Sequence, residues 1–474
     1  MNKIKRRVFL RQVALLSGGV VLAGKSALAS VKRKDKNIQG RVTSKGKPLA
    51  GVVVSDGFSV VLTDKKGRYE FPYNETAKSV FVSIPSGYEF PHDKNVAGCY
   101  KVLGSDKKDQ YDFELVPLSK DDTKHQFIIW ADPQVKNEKD VEKMMEQSVP
   151  DVKKLLKSLA PGTLIHGITV GDIVWDNHDL FPEYNKAVDQ MGIPFFQALG
   201  NHDQDYKLGG DETADITFKK YYGPTYYSFN RGKVHYVVLD DVRYLGKERE
   251  YDGFVSQDQL NWLKKDLEMM PKDSLVILNL HIPVHNSVKN NQDLYAILQP
   301  YKVHIMSGHT HYHRNVITNG IFEHNHGTVC GAWWTGPICG DGTPRGYGVY
   351  EVDGTELKWY YKSCDHDKNF QISLYLEELT NQKRLLANIW NWDPEWKVEW
   401  WADDVYKGIL ESTKGFDPAA VVLYKGDQLP KGRVFVEPSK TEHLFMAHYE
   451  PGIKKVKVVA TDRFGNKYEE TASA

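Results

Sequence analysis

Between about residues 123 and 363, one short apolar run after another stops at side chains able to ligate a metal. "HQFIIWA" leads to Asp132 and Gln134, and "TLIHGITV" to Asp172. "PFFQAL" leads to Asn201, His202 and Asp203, "SLVILNL" to His281, and "KVHIMS" to His309 and His311. Such apolar runs read as strands. "KVHYVVLD" is a further strand of the same kind. Helical text lies between them. "SQDQLNWLKKDLEMM" is the clearest, with Ser256 as N-cap and Gln259 expected to close a capping box. Strand alternating with helix predicts an α/β domain, and such domains place their sites just beyond the strand ends.

The stretch "MSGHTHYHRN" shows what residues alone leave open. On a strand, residues two apart share a face, so His309, His311 and His313 can all look one way. A straight strand would still hold them side by side. His309 and His311 converge only if the backbone bends there. A polar strand end and one half of a metal site both fit. A single aspartate or histidine in such a place is ordinary; five strands in succession delivering oxygen or imidazole favour the metal site.

In order, the motifs are "DPQ", "GD", "GNHD", a lone His281 and "GHTH", spread over about 180 residues. This succession closely resembles the calcineurin-like metallophosphoesterases. "GAWWTGPICGDGTPRGYGVYEVDG" and the β modules on either side resemble a bacterial, exported, three-part branch of that family. The resemblance implies a four-layer α/β/β/α sandwich flanked by two β-sandwich domains. It implies two divalent metals (Mn, Fe or Zn), with Asp132, Gln134 and His311 on one, Asn201, His281 and His309 on the other, and Asp172 bridging. His202 would act on the phosphate or the leaving alkoxide, oriented by Asp203, and His313 would lie at the surface or behind the ligands. One position departs from the family's usual pattern: Gln134 stands where His is commonest.

The chemistry agrees with that donor set. Hydrolysis of an anionic phosphoester by hydroxide needs its charge offset, which two metals about 3.5–4 Å apart can do while lowering the pKa of a water. Mixed oxygen and imidazole donors suit Mn, Fe or Zn better than Ca. The implied function is hydrolysis of a phosphomonoester or phosphodiester by metal-activated hydroxide. Its rival is a catalytically weak surface glycan-binding or scaffold protein. A metallopeptidase is disfavoured, because no H-E-x-x-H helix motif is present. For substrate choice, Asn177, His178, His285, His324, His326, Trp333 and Trp334 are candidates for the pocket mouth, and no basic cluster reaches the site in sequence.

The flanks read as β text. Residues 36–118, with "GKPLAGVVVSDG" and "TDKKGRYEF", resemble the small Ig-like or prealbumin-like modules of exported proteins. Residues 368–474 are expected to form a second sandwich that affects solubility more than chemistry. Trp390, Trp392, Trp396, Trp400 and Trp401 are expected in its core or in a seam, with a glycan-binding platform as the alternative.

Residues 1–29 read as an export signal. Arg6 and Arg7 precede the short apolar run "VALLSGGVVLAG" and a small-residue "ALA", resembling a twin-arginine leader. A Sec signal or an uncleaved anchor is the alternative. A periplasmic or cell-surface protein follows. Basic and acidic residues number 62 each, and the leader holds six of the basic ones, leaving 56 against 62. That slightly acidic balance argues against nucleic acid as a partner, and no other segment is apolar enough to span a membrane. Four widely spaced cysteines exclude a zinc knuckle. Cys330–Cys339 is the favoured pair if a disulfide forms, and buried free thiols are the slightly favoured alternative.

Overall fold

Successive side chains of the strand Lys124–Trp130 serve two different cores. Phe127 and Ile129 pack with Ile168, Val170 and Phe196, and against Phe229, Tyr236, Ile277 and Met306 of a second sheet. Ile128 and Trp130 face the other way, onto Val152, Leu155, Phe181, Tyr184 and Val188 of the helices Val149–Ser158 and Phe181–Met191. From Phe127 to Trp130 both faces are buried, and that half of the strand is an unbroken apolar run. The second sheet repeats the device. Val237, Val276, Leu278 and Ile305 turn outward onto Leu260, Leu263 and Leu267 of Gln257–Met269 and Leu294 and Leu298 of Asn291–Leu298. Helix, sheet, sheet and helix form the four expected layers.

This computed structural model describes residues 37–104, 110–379, 382–425 and 429–474. The expected export signal, residues 1–29, lies outside the described residues. In the first sheet, Glu356–Ser363, Gly346–Asp353, Lys124–Trp130, Ile165–Val170 and Phe195–Ala198 lie side by side, the last three mutually parallel. Two short strands of the N-terminal module, Val96–Ala97 and His92–Asp93, extend its edge. The second sheet runs Tyr227–Arg231, Val234–Val238, Leu275–Asn279, Lys302–Ser307, Ile321–Asn325 and Arg314–Thr318, with a parallel centre. The parallel strands of each sheet therefore bring their C-terminal ends to one edge. At the helix Gln257–Met269, Ser256 Oγ accepts the Gln259 amide at 3.3 Å as expected, but no capping box closes. The Gln259 side chain is drawn off to the Asp240 backbone, accepting its N–H at 2.9 Å and donating to its carbonyl at 2.7 Å.

Both flanks are antiparallel β modules. The N-terminal one packs Ile38, Val42, Val54, Phe71 and Val82 between two four-stranded sheets. In the C-terminal one, Trp396 and Trp400 are buried with Val398, Phe445 and Val458, and Trp390 is buried as well. These three are packing residues, as favoured from sequence, and offer no sugar platform. The four cysteines are free thiols, with Cys330, Cys339 and Cys364 buried.

Four buried histidines outside the site make the core sensitive to acid. His166 lies among the rings of Phe90, Phe127, Phe196 and Phe229, and burial holds its pKa well below the usual value. Burial pushes His125 down to about 4 and His304 down to about 3, and depresses His324, whose Nε2 meets His304 Nδ1 at 2.9 Å. A folded-state pKa below the unfolded value of about 6.5 means that the unfolded chain takes up protons first. Stability is therefore full above about pH 6.5 and falls as pH drops toward the folded values, by up to about 1.4 kcal/mol per pH unit for each histidine. We expect Tm to fall steadily from pH 7 to pH 5, and His166→Phe, which keeps a ring but no titrating group, to lessen the slope by up to one proton. A flat Tm over that interval would show that these imidazoles are not held neutral.

Candidate metal centre

Five of the seven candidate ligands sit in left-handed backbone: Asp132 at φ 48°, Gln134 at 41°, Asp172 at 50°, His309 at 72° and His311 at 54°. Each such residue costs about 1–3 kcal/mol unless its surroundings enforce it. Asp, Asn and His tolerate the region best among residues with a side chain, which matches four of the five, Gln134 being the exception. These turns also explain how neighbours two apart converge. A strand that twists into left-handed geometry at its end no longer holds His309 and His311 side by side. Leading glycines then let the turns pack. A Cβ at Gly171 would lie 2.4 Å from His281 Nδ1, one at Gly200 would lie 2.0 Å from the Asp172 amide, and one at Gly308 would lie 2.6 Å from Asp132 Oδ2. The Gly of "GD", "GNHD" and "GHTH" is a steric requirement of the cluster.

The side chains meet around Asp172. Its Oδ1 accepts the His202 amide at 2.9 Å and lies 3.3 Å from His281 Nε2. His281 Nε2 is also 3.0 Å from Asn201 Oδ1 and 3.2 Å from His309 Nδ1. Donor atoms of Asp172, His281 and His309 all lie within 4.8 Å of one another, close enough to share one cation. On the other side, Gln134 Nε2 donates to Asp172 Oδ2 at 3.2 Å, while His311 Nε2 is 3.6 Å from Asp132 Oδ1. Gln134 Oε1 is buried without a hydrogen-bond partner among the described residues, which leaves an amide oxygen free for a cation. The residues present thus fit a pair of divalent metals.

The charges point the same way. Burial alone would raise Asp172, but His281 and His202 outweigh it and hold the carboxylate ionised. Burial would lower His281, but Asp172, chiefly, raises it to about 10. The chain here favours a positive charge beside its buried carboxylates. His309 and His311 are pushed by burial down to about 3, so both imidazoles are neutral, the form that ligates metals. Burial raises Asp132 above the usual carboxylate range.

Several residues not singled out from sequence complete the centre. Asp203 does not touch the His202 ring. Its carboxylate accepts the amides of Gly200 at 2.9 Å, Val174 at 3.1 Å and Ile173 at 3.2 Å, tying two ligand loops together. The carboxylate on His202 is Asp176, with Oδ1 2.8 Å from Nδ1 and Arg249 2.9 Å from Oδ2. Asp176 was visible as a second aspartate in "GDIVWDN", four residues after Asp172. Asp241 accepts the amides of His281 and Ile282, and His281 Nδ1 is 2.9 Å from the Val170 carbonyl, which sets Nε2 as the free donor atom. Of the candidates for the mouth, Trp333 stacks on His311, with ring centroids 4.0 Å apart. Trp334 is buried and donates to the Pro133 carbonyl. His285 is held by Glu323, His178 lies 3.3 Å from Asp205, and His324 and His326 are buried against His304 and Tyr350. His313 is not at the surface. It is buried, 3.3 Å from Asn391 Oδ1 of the C-terminal module.

A four-layer α/β sandwich with a buried carboxylate–imidazole cluster at its strand ends has the build of a metallohydrolase. Sequence profiles of one family match along nearly the whole described chain. The N terminal of calcineurin-like phosphoesterase matches residues 36–118, the calcineurin-like phosphoesterase core 125–313, and the C terminal of calcineurin-like phosphoesterase 323–468. The chain belongs to the calcineurin-like phosphoesterases, with that family's N- and C-terminal modules flanking the core. Similar solved structures include a dimetal phosphatase from Danio rerio, 14% identical, covering 51% of this chain and 97% of its own, at TM-score 0.35. A purple acid phosphatase from yellow lupin seeds is 13% identical, covering 70% of this chain and 55% of its own, at TM-score 0.34. No curated protein sequence matches the chain.

Two substitutions separate the cluster from its surroundings. Asp172→Asn should strip most bound divalent metal from the purified protein, whereas His313→Gln should leave the metal content unchanged. Elemental analysis after gel filtration decides it. Equal metal in both variants would remove Asp172 from the centre.

Proposed function

We propose that this protein hydrolyses a phosphomonoester or phosphodiester with two divalent metals, Mn, Fe or Zn, held by Asp132, Gln134, His311, Asn201, His281 and His309 and bridged by Asp172. The observation that carries this reading is the two-sided setting of Asp172, with Oδ1 among His281 and its neighbours and Oδ2 toward Gln134. A bridging carboxylate requires that arrangement. Two bound divalent ions supply the Lewis acidity and the deprotonated water that attack on a phosphoester needs. The remaining steps belong to the chain. Asp176 fixes the His202 ring through Nδ1, so Nε2 is the nitrogen left to hydrogen-bond the phosphate or protonate the leaving alkoxide. Burial lowers the His202 pKa, but Asp172 and Asp176 more than offset it, which keeps a proton available. Trp333, stacked on His311, limits the motion of that ligand.

Export to the periplasm or cell surface is part of the same proposal and rests on the leader at residues 1–29. Of the five tryptophans offered for a glycan platform, Trp390, Trp396 and Trp400 are buried, while Trp392 and Trp401 are half-buried. His202→Ala should retain metal and fold yet lose roughly 10²–10⁴ in turnover, the usual range for a general acid. Asp176→Asn should show a smaller loss in the same assay. p-Nitrophenyl phosphate and its bis ester report on monoester and diester turnover. Loss of metal from the His202 variant would mean that a ligand had been taken for a proton donor, and no turnover of either ester by the metal-loaded parent would count against the reading.

A further inference from the structure

The C-terminal module reaches the mouth of the metal centre. Its segment "GRVFVEP" places Arg433 and Phe435 against two tryptophans of the core. Phe435 packs edge-on to Trp333 at 5.1 Å between ring centroids and to Trp175 at 5.5 Å. Trp333 stacks on the candidate ligand His311, and Trp175 meets the His202 ring at 5.6 Å. The three aromatic rings thus form one wall that begins at the ligands and ends in solvent. Phe435 is 47% exposed and Val434, beside it, 68% exposed. These open side chains, continuous with the Trp175 and Trp333 rings, give the polar site an apolar rim.

The wall also carries charge. Arg433 lies over the Trp175 ring at 4.6 Å and Lys136 at 4.2 Å. Arg433 Nη2 donates to Asp140 at 2.5 Å, yet Nη1 is buried with no hydrogen-bond partner among the described residues. An unmet N–H on a buried guanidinium is costly and calls for an acceptor. A phosphoester bearing an apolar group would cover the rim while its anionic end faces the cations.

We propose that Trp175, Trp333 and Phe435 bind the alcohol portion of the substrate, so that the protein prefers phosphoesters of apolar, ring-bearing alcohols over those of small ones. This rests on the phosphoesterase reading and adds the substrate class to it. Phenethyl phosphate and ethyl phosphate test it, because both release an alkoxide of similar basicity and differ in the apolar body. For the metal-loaded protein, kcat/KM for the phenethyl ester should exceed that for the ethyl ester roughly tenfold or more, the usual gain for burying a ring. Phe435→Ala should shrink that ratio at least fivefold. Calorimetric binding of phenethylphosphonate and ethylphosphonate, which needs no turnover, separates the two readings. Tighter phenethyl binding that Phe435→Ala removes, with no hydrolysis of either ester or of bis-p-nitrophenyl phosphate, would keep the aromatic wall and overturn the phosphoesterase reading. Hydrolysis of both esters at similar kcat/KM would overturn the wall and keep the phosphoesterase. A preference untouched by Phe435→Ala would overturn the wall as well. No hydrolysis of either monoester or of bis-p-nitrophenyl phosphate, together with no preferential binding, would overturn both.

Discussion

A carboxylate buried as fully as Asp172 cannot stay ionised unless every direction around it offers a donor or a positive charge. Much of the centre follows from that need. The His202 amide, the Gln134 side chain and His281 all close on its two oxygens. For them to arrive together, three strand ends must turn sharply in the same few ångströms, which is why left-handed turns and leading glycines gather there. The parallel centres of the two sheets supply the rigid frame that holds this strain.

The frame is stabilised by burial on both faces of each sheet, and the site by buried carboxylates that accept backbone amides. Asp203 ties the loop after Ile165–Val170 to the loop after Phe195–Ala198. Asp241 steadies His281 and its neighbour, and Glu323 accepts the amides of Val284 and His285 just beyond. Such residues set ligand geometry without meeting a metal, as groups behind the ligands generally do.

The C-terminal module docks onto the core through apolar contacts and one ion pair. Ala420, Tyr424, Leu429 and Val436 pack with Ala332 and Trp333 of the Gly-rich stretch, and Arg433 forms a buried ion pair with Asp140. This docking sets the place of Trp333 and brings Phe435 to the mouth. In sequence the segment "GRVFVEP" shows no motif of the core. Its contribution is apolar area and a guanidinium, and those acquire meaning only from what they face.

By itself, the sequence determined the class of the core and the identity of the candidate ligands. Unbroken apolar runs require strands buried on both sides, and a ligand-type residue at the end of each run requires a site at one edge. Both are local properties of the chain, legible because periodicity and position are written residue by residue. The tertiary structure alone decided the partners. Asp203 and Asp176 are equally plausible companions for His202 from sequence, yet only Asp176 reaches its ring, because Asp203 is turned toward three backbone amides. His313 follows the same alternation as His309 and His311 but faces Asn391, since the chain has already left the cluster by then. Gln259 fits a capping box and is instead drawn to Asp240. In each case two local choices of similar energy were open, and contacts from segments distant in sequence settled between them.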